Sequence, residues 1–137
     1  MLAKHLRKGN IPCYKKLYRT YKGSAKSRKI SFRLSFKVFC NILNGNCFYC
    51  GIKPYSTFNV YLNKKGELYP ERFIENLDLN YVKSQTIKYN GIDRVNNKNG
   101  YSVKNVVTCC KICNRAKDTM TKKEFLTWIK RVWDHQN

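Results

Sequence analysis

Acidic residues are scarce in this sequence, and histidines are scarcer still. Only 8 Asp and Glu stand against 28 Lys and Arg, giving a net charge of +20, and no acidic residue precedes Glu67. A charge of this size opposes folding through self-repulsion, and solubility needs far less, so it indicates a polyanionic partner. We expect that partner to be nucleic acid. An anionic membrane surface is a weaker candidate, because every apolar stripe along the chain is needed for a core.

Long apolar runs are also absent. No stretch approaches the ~20 apolar residues that cross a bilayer, and the opening MLAKHLRKGN lacks the apolar segment of a secretory signal. These absences predict an intracellular protein, neither secreted nor bound to a membrane, in a phage- or virus-bearing cell or an organelle. The hydrophobic content of 42% predicts a single folded domain over residues 1–137, small enough to benefit from a bound metal.

Cysteine, in contrast, is abundant, with seven in the chain. Two Cys-x-x-Cys pairs contain four of them: Cys47, Cys50, Cys110 and Cys113. Without a secretory signal, this spacing favours metal ligation over disulfides, and four thiolates suit one structural, tetrahedral zinc. The alternatives are buried cysteine pairs without metal, or Cys109 as a ligand in place of Cys110. Cys13 and Cys40 are expected to be inert core residues.

The first third of the chain has helical periodicity. From Ile11 to about Lys29, apolar and aromatic residues recur at helical spacing with basic residues on the other faces, which predicts a basic helical arm over residues 1–33. Four of its side chains are expected to contact phosphates: Arg19, Lys22, Lys26 and Arg28. Residues 31–34 alternate like a short strand. Ser35 suits the N-cap of a second helix, which Gly45 ends.

Residues 51–89 are predicted to be an insertion of strands and loops, with a hairpin that turns at Lys65-Gly66. Later elements are a strand over 86–95, a turn over 96–100, a strand over 105–108 and a helix that starts near Cys110. The capping box Thr121-x-x-Glu124 opens a final helix over 121–134. The apolar stripe of this helix is expected to pack in the core: Phe125, Trp128, Ile129, Val132 and Trp133.

Residues 91–117 are predicted to form a strand, a glycine-containing turn, a second strand and a helix. They contain the residues GIDR, GY, NVV and CCKICNRAK. This order, with these residues, resembles the HNH, or ββα-metal, endonuclease family. More narrowly, it is similar to a zinc-bound subgroup that has Gly-Ile-Asp-Arg in place of the usual Asp-His. The segments CFYCG and SAKSRKISF also resemble that subgroup. The resemblance implies a small α+β fold, a zinc-stabilised ββα-metal domain with flanking helices and a zinc and active-site core over 47–117.

The resemblance also implies roles for individual residues. Asp93 and Asn114 would be the protein ligands of a catalytic Mg²⁺ or Mn²⁺, and Asn105 would brace the loop between the strands. A carboxylate and an amide oxygen leave coordination positions open, which suits a metal that bridges a scissile phosphate. Further DNA contacts are expected from four basic residues near this site: Lys98, Lys104, Arg115 and Lys117.

Arg94 stands where most of the family has the histidine that deprotonates the attacking water. Arginine keeps its proton, so Arg94 cannot be the general base, although it can donate hydrogen bonds to a phosphate oxygen in the transition state. The proton must then go to water activated by the metal, to Tyr49, or to one of the two histidines, His5 and His135. We favour Tyr49, because a shared zinc would bring residues 47–50 beside residues 110–114.

These features predict a metal-dependent DNA endonuclease of homing, restriction or phage type that hydrolyses phosphodiester bonds. One site cuts one strand, so a double-strand break would require a homodimer or two successive events. The alternatives are a non-catalytic zinc-containing DNA-binding protein and an RNA-binding zinc protein. Replacing Asp93 distinguishes the enzyme from the first alternative, and competition between duplex DNA and structured RNA tests the second.

Overall fold

The structure, a computed structural model, describes Leu6, residues 9–69 and residues 78–137. In chain order the elements are α1 Ile11–Ser27, α2 Phe36–Leu43, β1 Ser56–Phe58, α3 Leu79–Ser84, β2 Ile87–Tyr89, β3 Gly91–Arg94, β4 Val106–Cys109, α4 Lys111–Lys117 and α5 Lys122–Gln136. β1 pairs with β2 and β3 pairs with β4, both antiparallel, in two separate two-stranded sheets. The predicted α+β class is confirmed. Within the described ranges, each helix is too short or too polar to span a bilayer.

The two N-terminal helices form the larger core, as their periodicity predicts. α1 has Pro12 in its first turn. Backbone N–H groups there have no partner within the helix, so proline removes no helical hydrogen bond. α2 begins after Ser35, whose side chain accepts a hydrogen bond from the backbone N–H of Val38. Tyr18 of α1 packs edge-to-face against three phenylalanines at centroid distances of 5.2 to 5.6 Å: Phe32, Phe36 and Phe39. Cys13 and Cys40 are fully buried in this core, as expected.

The strand predicted over residues 31–34 is wrong. Phe32 forms a single parallel bridge to Tyr101, supported by hydrogen bonds from Arg33 N to Tyr101 O and from Tyr101 N to Ser31 O. The alternation arises because Leu34 is buried and Phe32 packs on the core, while Ser31 and Arg33 face solvent. Side-chain packing alone therefore produced a strand-like pattern.

The strand predicted over residues 86–95 is two strands, which belong to different sheets. Asn90 lies between β2 and β3 and is tied to the end of α2. Its backbone N–H donates to Leu43 O at 2.8 Å, and its side-chain amide donates to Gly45 O at 3.0 Å and to Ile52 O at 3.2 Å. These long-range bonds turn the chain from one sheet into the other.

The segment over residues 51–89 also contains a helix, α3, which was not predicted. Asp78 caps it by accepting a hydrogen bond from Asn80 N. The predicted hairpin turn is present: Leu62 bridges Leu68, and Gly66 has a φ of 81° that favours glycine. Residues 70–73 of that hairpin lie outside the described ranges.

α5 has the predicted capping box, with reciprocal hydrogen bonds between Thr121 and Glu124. The expectation that its apolar stripe is core is wrong. Phe125 is buried, but every residue from 126 to 137 is exposed, including Trp128, Ile129, Val132 and Trp133. Amphipathic spacing specifies an apolar face and does not specify what covers it.

Candidate active site and metal centre

The four cysteines of the Cys-x-x-Cys pairs converge. A turn after α2 carries Cys47 and Cys50, and the hydrogen bond from Phe48 N to Thr108 O holds this turn on β4. The second pair lies at the start of α4, where Cys110 is the N-cap. The four Sγ atoms all lie within 4.8 Å of one another. Zn–S bonds of about 2.3 Å in a tetrahedron place sulfurs about 3.8 Å apart, so the donor set fits one zinc ion.

Cys109 does not belong to this group of thiols. Its side chain is fully buried, and burial raises the pKa of the thiol. Burial also opposes ionisation of Cys47, but hydrogen bonds from the backbone N–H groups of Cys110, Cys50 and Tyr49 lower its pKa to about 6. Burial raises the pKa of Cys110 and of Cys113 as well, so it is the position of Cys109 outside the group of four Sγ atoms that sets it apart.

The turn that carries the first two cysteines also brings Tyr49 to β3. The phenol donates a hydrogen bond to Asp93 Oδ2 at 2.8 Å, and its ring packs edge-to-face on Phe125 at 5.3 Å. Burial, followed by the hydrogen bond to Asp93, raises the pKa of Tyr49, so the phenol keeps its proton. Tyr49 thus links the turn that carries Cys47 and Cys50 to Asp93 of β3.

Lys117, at the end of α4, contacts the same carboxylate. Its Nζ lies 3.2 Å from Asp93 Oδ2 and 3.4 Å from Oδ1, and it donates to Arg94 O at 3.3 Å. The Lys117 side chain is 0% exposed and that of Asp93 is 4% exposed. The prediction that Lys117 contacts DNA is therefore wrong, because its ammonium faces inward to neutralise a buried carboxylate.

The guanidinium of Arg94 is held by the loop that follows β3. Its Nη1 donates to Asn97 O and to Asn99 O, both at 2.9 Å. Its Cζ lies 5.4 Å from the ring centroid of Tyr101. These contacts fix the direction of the guanidinium and leave other N–H donors for a ligand.

Asn105 braces this loop, as the resemblance implies. Its side-chain amide donates to Asn96 O and Gly100 O, both at 2.9 Å, and its Oδ1 accepts from Asn96 N at 3.0 Å. A buried asparagine whose side-chain amide nitrogen and oxygen are both hydrogen-bonded to one loop fixes the shape of that loop. Asn105 therefore acts on Arg94 indirectly, through the carbonyls of the loop.

Asp93, Arg94 and Asn114 line a single cleft of about 600 Å³. The remaining lining residues are Tyr21, Ser24, Arg28, Ile92, Asn97, Tyr101, Asp118 and Thr119. Of these, only Arg28 was predicted to bind a ligand. The others come from four separate segments, and no local signal in the sequence places them together.

The other predicted residues lie outside the cleft. Exposed positions are occupied by Arg19, Lys22, Lys26, Lys98, Lys104 and Arg115. His135 is exposed in the last turn of α5 and does not line the cleft, so the structure gives no support to it as the base. His5 lies outside the described ranges.

Comparisons with known proteins agree with this architecture. No family model matches the chain. An uncharacterized protein of Acanthamoeba polyphaga mimivirus is 28% identical over 109 residues, which cover 80% of this chain and 15% of that protein. The chain thus matches only about 15% of the length of this relative.

A solved structure of PacI, a rare-cutting HNH restriction endonuclease, is similar with a TM-score of 0.56 and 18% sequence identity. The similarity covers 97% of this chain and 92% of that chain. At this identity the likeness shows the fold alone: the chain has a small α+β fold similar to that of an HNH restriction endonuclease.

Proposed function

We propose that this chain is a metal-dependent DNA endonuclease of the HNH type, which hydrolyses phosphodiester bonds. One observation carries the proposal: a carboxylate, an arginine and an asparagine, from β3 and α4, line the same cleft beside a four-cysteine group. The likeness of the fold to an HNH restriction endonuclease supports it. Fold likeness is not function, so the weight rests on the side chains of the cleft.

The cleft has oxygen donors for a divalent cation. Asp93 Oδ2 is occupied by Tyr49 and Lys117, whereas Oδ1 has one longer contact, to Lys117 at 3.4 Å. Oδ1 and the amide oxygen of Asn114 would hold Mg²⁺ or Mn²⁺ and leave its other coordination positions open. Such an ion, when bound, would stabilise the charge on the scissile phosphate and on the leaving 3′ oxygen, and would favour the ionised form of nearby acids.

Arg94 would donate hydrogen bonds to the phosphate in the transition state. The loop carbonyls of Asn97 and Asn99 already orient its guanidinium, so little reorganisation is needed when charge develops. Since arginine stays protonated, it supplies charge and does not accept a proton. This role explains how a site without the usual histidine can still act on a phosphodiester.

We assign Tyr49 to take the proton of the attacking water as a phenolate, the form that a cation bound at Asp93 would favour over the protonated phenol that donates to this carboxylate. Its oxygen is 2.8 Å from Asp93 Oδ2, so it lies close to any cation on that carboxylate. Within the described residues, Tyr49 and Lys117 are the two ionisable side chains with hydrogen bonds to Asp93. Lys117 forms an ion pair with Asp93, so we assign the role of proton acceptor to the phenolate of Tyr49.

We propose double-stranded DNA as the substrate: the charge favours a nucleic acid, and the similar solved structure is that of an HNH restriction endonuclease. The net charge is +20, and exposed basic side chains lie on α1, on the loop after β3 and on α4. Contacts of this kind bind phosphates without reading sequence. One cleft cuts one strand, so a break in both strands would require a second copy of the chain or a second event.

A plasmid assay tests the proposal. Supercoiled DNA is incubated with the protein, with and without Mg²⁺, beside Asp93→Ala and the matched control Asp134→Ala, which removes an exposed carboxylate from α5. We expect nicked or linear DNA only with the metal, from the wild type and Asp134→Ala. Cleavage by Asp93→Ala at the wild-type rate would refute the assigned site.

One observation favours a second function, binding of DNA without cleavage. The charge of Asp93 is already balanced by Lys117, so this carboxylate has less need of a metal cation than an isolated one. A DNA-binding zinc protein would then bind duplexes equally well with or without Mg²⁺, and Asp93→Ala would leave that binding unchanged. The same plasmid assay, with Mg²⁺ and Mn²⁺ and a diverse pool of sequences, distinguishes this function by the absence of any cut.

A further inference from the structure

Helix α1 forms one wall of the cleft and is not a separate arm. Tyr21 and Ser24 of α1 and Arg28, the C-cap residue that follows it, are spaced three and four residues apart and line the cleft together with residues of β3 and α4. Arg19 lies on another face of the same helix and does not line the cleft. Basic residues of α1 therefore divide into those that line the active-site cleft and those that face bulk solvent.

Arg28 is held in place from two directions. Its Nε donates to Ser24 O at 3.3 Å, and its Nη2 donates to the hydroxyl of Tyr101 at 3.0 Å. Arg94 lies against the ring of the same tyrosine. Tyr101 is 6% exposed, so a nearly immobile side chain holds two guanidinium groups in one cleft.

Both guanidinium groups keep hydrogen-bond donors for a ligand. A guanidinium has five N–H groups. Arg28 donates through Nε and Nη2, and Arg94 donates through Nη1 only, in the hydrogen bonds given above. A planar donor set of this kind matches the oxygens of a phosphate better than an ammonium group does.

The cleft is also lined by side chains with oxygen donors. Asp93 and Asn114 lie on the β3 and α4 side, and Asp118 follows directly at the end of α4. These oxygen donors suit a cation. Arg28 follows α1 and Arg94 follows Asp93 in the chain, and both guanidinium groups contact Tyr101. An anion in the cleft would therefore meet two guanidinium groups beside the oxygen donors.

We propose that Arg28 and Arg94, both held by Tyr101, bind the backbone of the strand that is cut, with Arg28 on a phosphate next to the scissile one. The assignment rests on the proposed nuclease function and goes beyond it, because it makes α1 a part of the active site. The ligand is a phosphodiester of nucleic acid. Neighbouring phosphates of one strand are the anions that a cleft with two oriented guanidinium groups would hold.

The test combines a neutral phosphate analogue with substitutions of Arg28. A cleavage site is mapped on plasmid DNA, and duplexes are made with a methylphosphonate at one position at a time around that site. Single-turnover rates are measured for the wild type, Arg28→Met, Arg28→Lys and Arg19→Met. Zinc content and far-ultraviolet circular dichroism verify that each variant is folded.

We expect the wild type to lose about tenfold or more in rate at one position beside the scissile phosphate, as loss of a charge-assisted hydrogen bond implies. Arg28→Met should be slower on normal DNA by a similar factor and insensitive to the analogue at that position. Arg28→Lys should recover only part of the rate, and Arg19→Met should respond to the analogue as the wild type does. Equal sensitivity to the analogue in Arg28→Met and the wild type at every position would overturn the proposal.

A failure of the nuclease proposal is distinguishable from a failure of this one. If the wild type cuts no DNA, affinity for a duplex is measured at fixed salt without metal. Arg28→Met should then weaken binding several-fold more than Arg19→Met, although both remove one positive charge from α1. Equal weakening would mean that Arg28 adds charge only and binds no particular phosphate.

Discussion

Asp93 is the residue on which the site depends, and its surroundings explain why it can be buried. A carboxylate removed from water is costly unless it is paired and hydrogen-bonded. Asp93 has both, through the ammonium of Lys117 and the hydroxyl of Tyr49. The three side chains come from β3, α4 and the turn before β1, so the carboxylate also joins the segments that carry the four cysteines to the β3–β4 sheet.

Replacing Lys117 by methionine should destabilise the fold, since it leaves the Asp93 carboxylate buried without its cation. Breaking a buried ion pair in this way costs about 3 kcal/mol or more. Urea unfolding should therefore show a lower midpoint for Lys117→Met, and added Mg²⁺ should restore part of the loss if a cation binds Asp93. Lys130→Met, which breaks the exposed pair with Asp134, is the control and should change stability by less than about 1 kcal/mol. Similar midpoints for the two variants would show that the ion pair of Lys117 contributes little.

Replacing Tyr49 by phenylalanine removes one hydroxyl and keeps the ring on Phe125. If the phenol takes the proton of the attacking water, the single-turnover cleavage rate should fall by about 10² to 10⁴, with DNA affinity unchanged. Tyr55→Phe, at an exposed tyrosine of the loop before β1, should cleave at the wild-type rate. A loss below about tenfold for Tyr49→Phe would reject Tyr49 as the proton acceptor and leave it the lesser role of orienting Asp93.

For individual residues, the sequence predicted which ones belong to the site better than it predicted which side chains they contact. Asp93, Arg94 and Asn114 were placed in one site by a motif within a short segment. The inward direction of Lys117 was missed because a lysine beside a basic motif looks the same whether it faces DNA or a buried carboxylate. Tyr101 was missed for a related reason: its contact with Arg28 joins distant segments, and no local pattern reports such a contact.

Among the elements, those with local signals were predicted and those defined by tertiary contacts were not. The caps at Ser35 and at Thr121 with Glu124 fixed two helix starts, because a cap involves only neighbouring residues. The change of sheet at Asn90 depends on carbonyls of distant segments. The exposed stripe of α5 was mistaken for core because periodicity gives the direction of a face and not its neighbours.

The four-cysteine group tests the proposed structural zinc at the level of elements, because its ligands come from the turn after α2 and the start of α4. Cys50→Ser should lower the zinc content from about one ion per chain and reduce the stability of the fold, because metal binding in such sites is coupled to folding. Cys109→Ala is the matched control, since Cys109 is next to a ligand but outside the group of four thiols, and it should retain zinc. Elemental analysis and thermal unfolding check both. Zinc loss in Cys109→Ala but not in Cys50→Ser would mean that the ligand set is wrong.

Across the part of the molecule that the structure describes, acidic and basic side chains are placed differently. Asp93 and Asp118 line the cleft, whereas exposed lysines and arginines lie on α1, on the loop after β3 and on α4. In the proposed function, the strong positive charge would hold a polyanion over the cleft, and the oxygen donors inside would hold the cation.

The central claim is that this cleft cuts DNA with a divalent cation on Asp93 and Asn114. The most direct measurement is the rate of plasmid nicking as a function of Mg²⁺ concentration for the wild type, Asn114→Ala and Asp93→Ala. We predict saturation for the wild type, a requirement for more Mg²⁺ in Asn114→Ala because one ligand is lost, and no nicking by Asp93→Ala. The same Mg²⁺ dependence in all three proteins, or nicking without any divalent metal, would contradict the account.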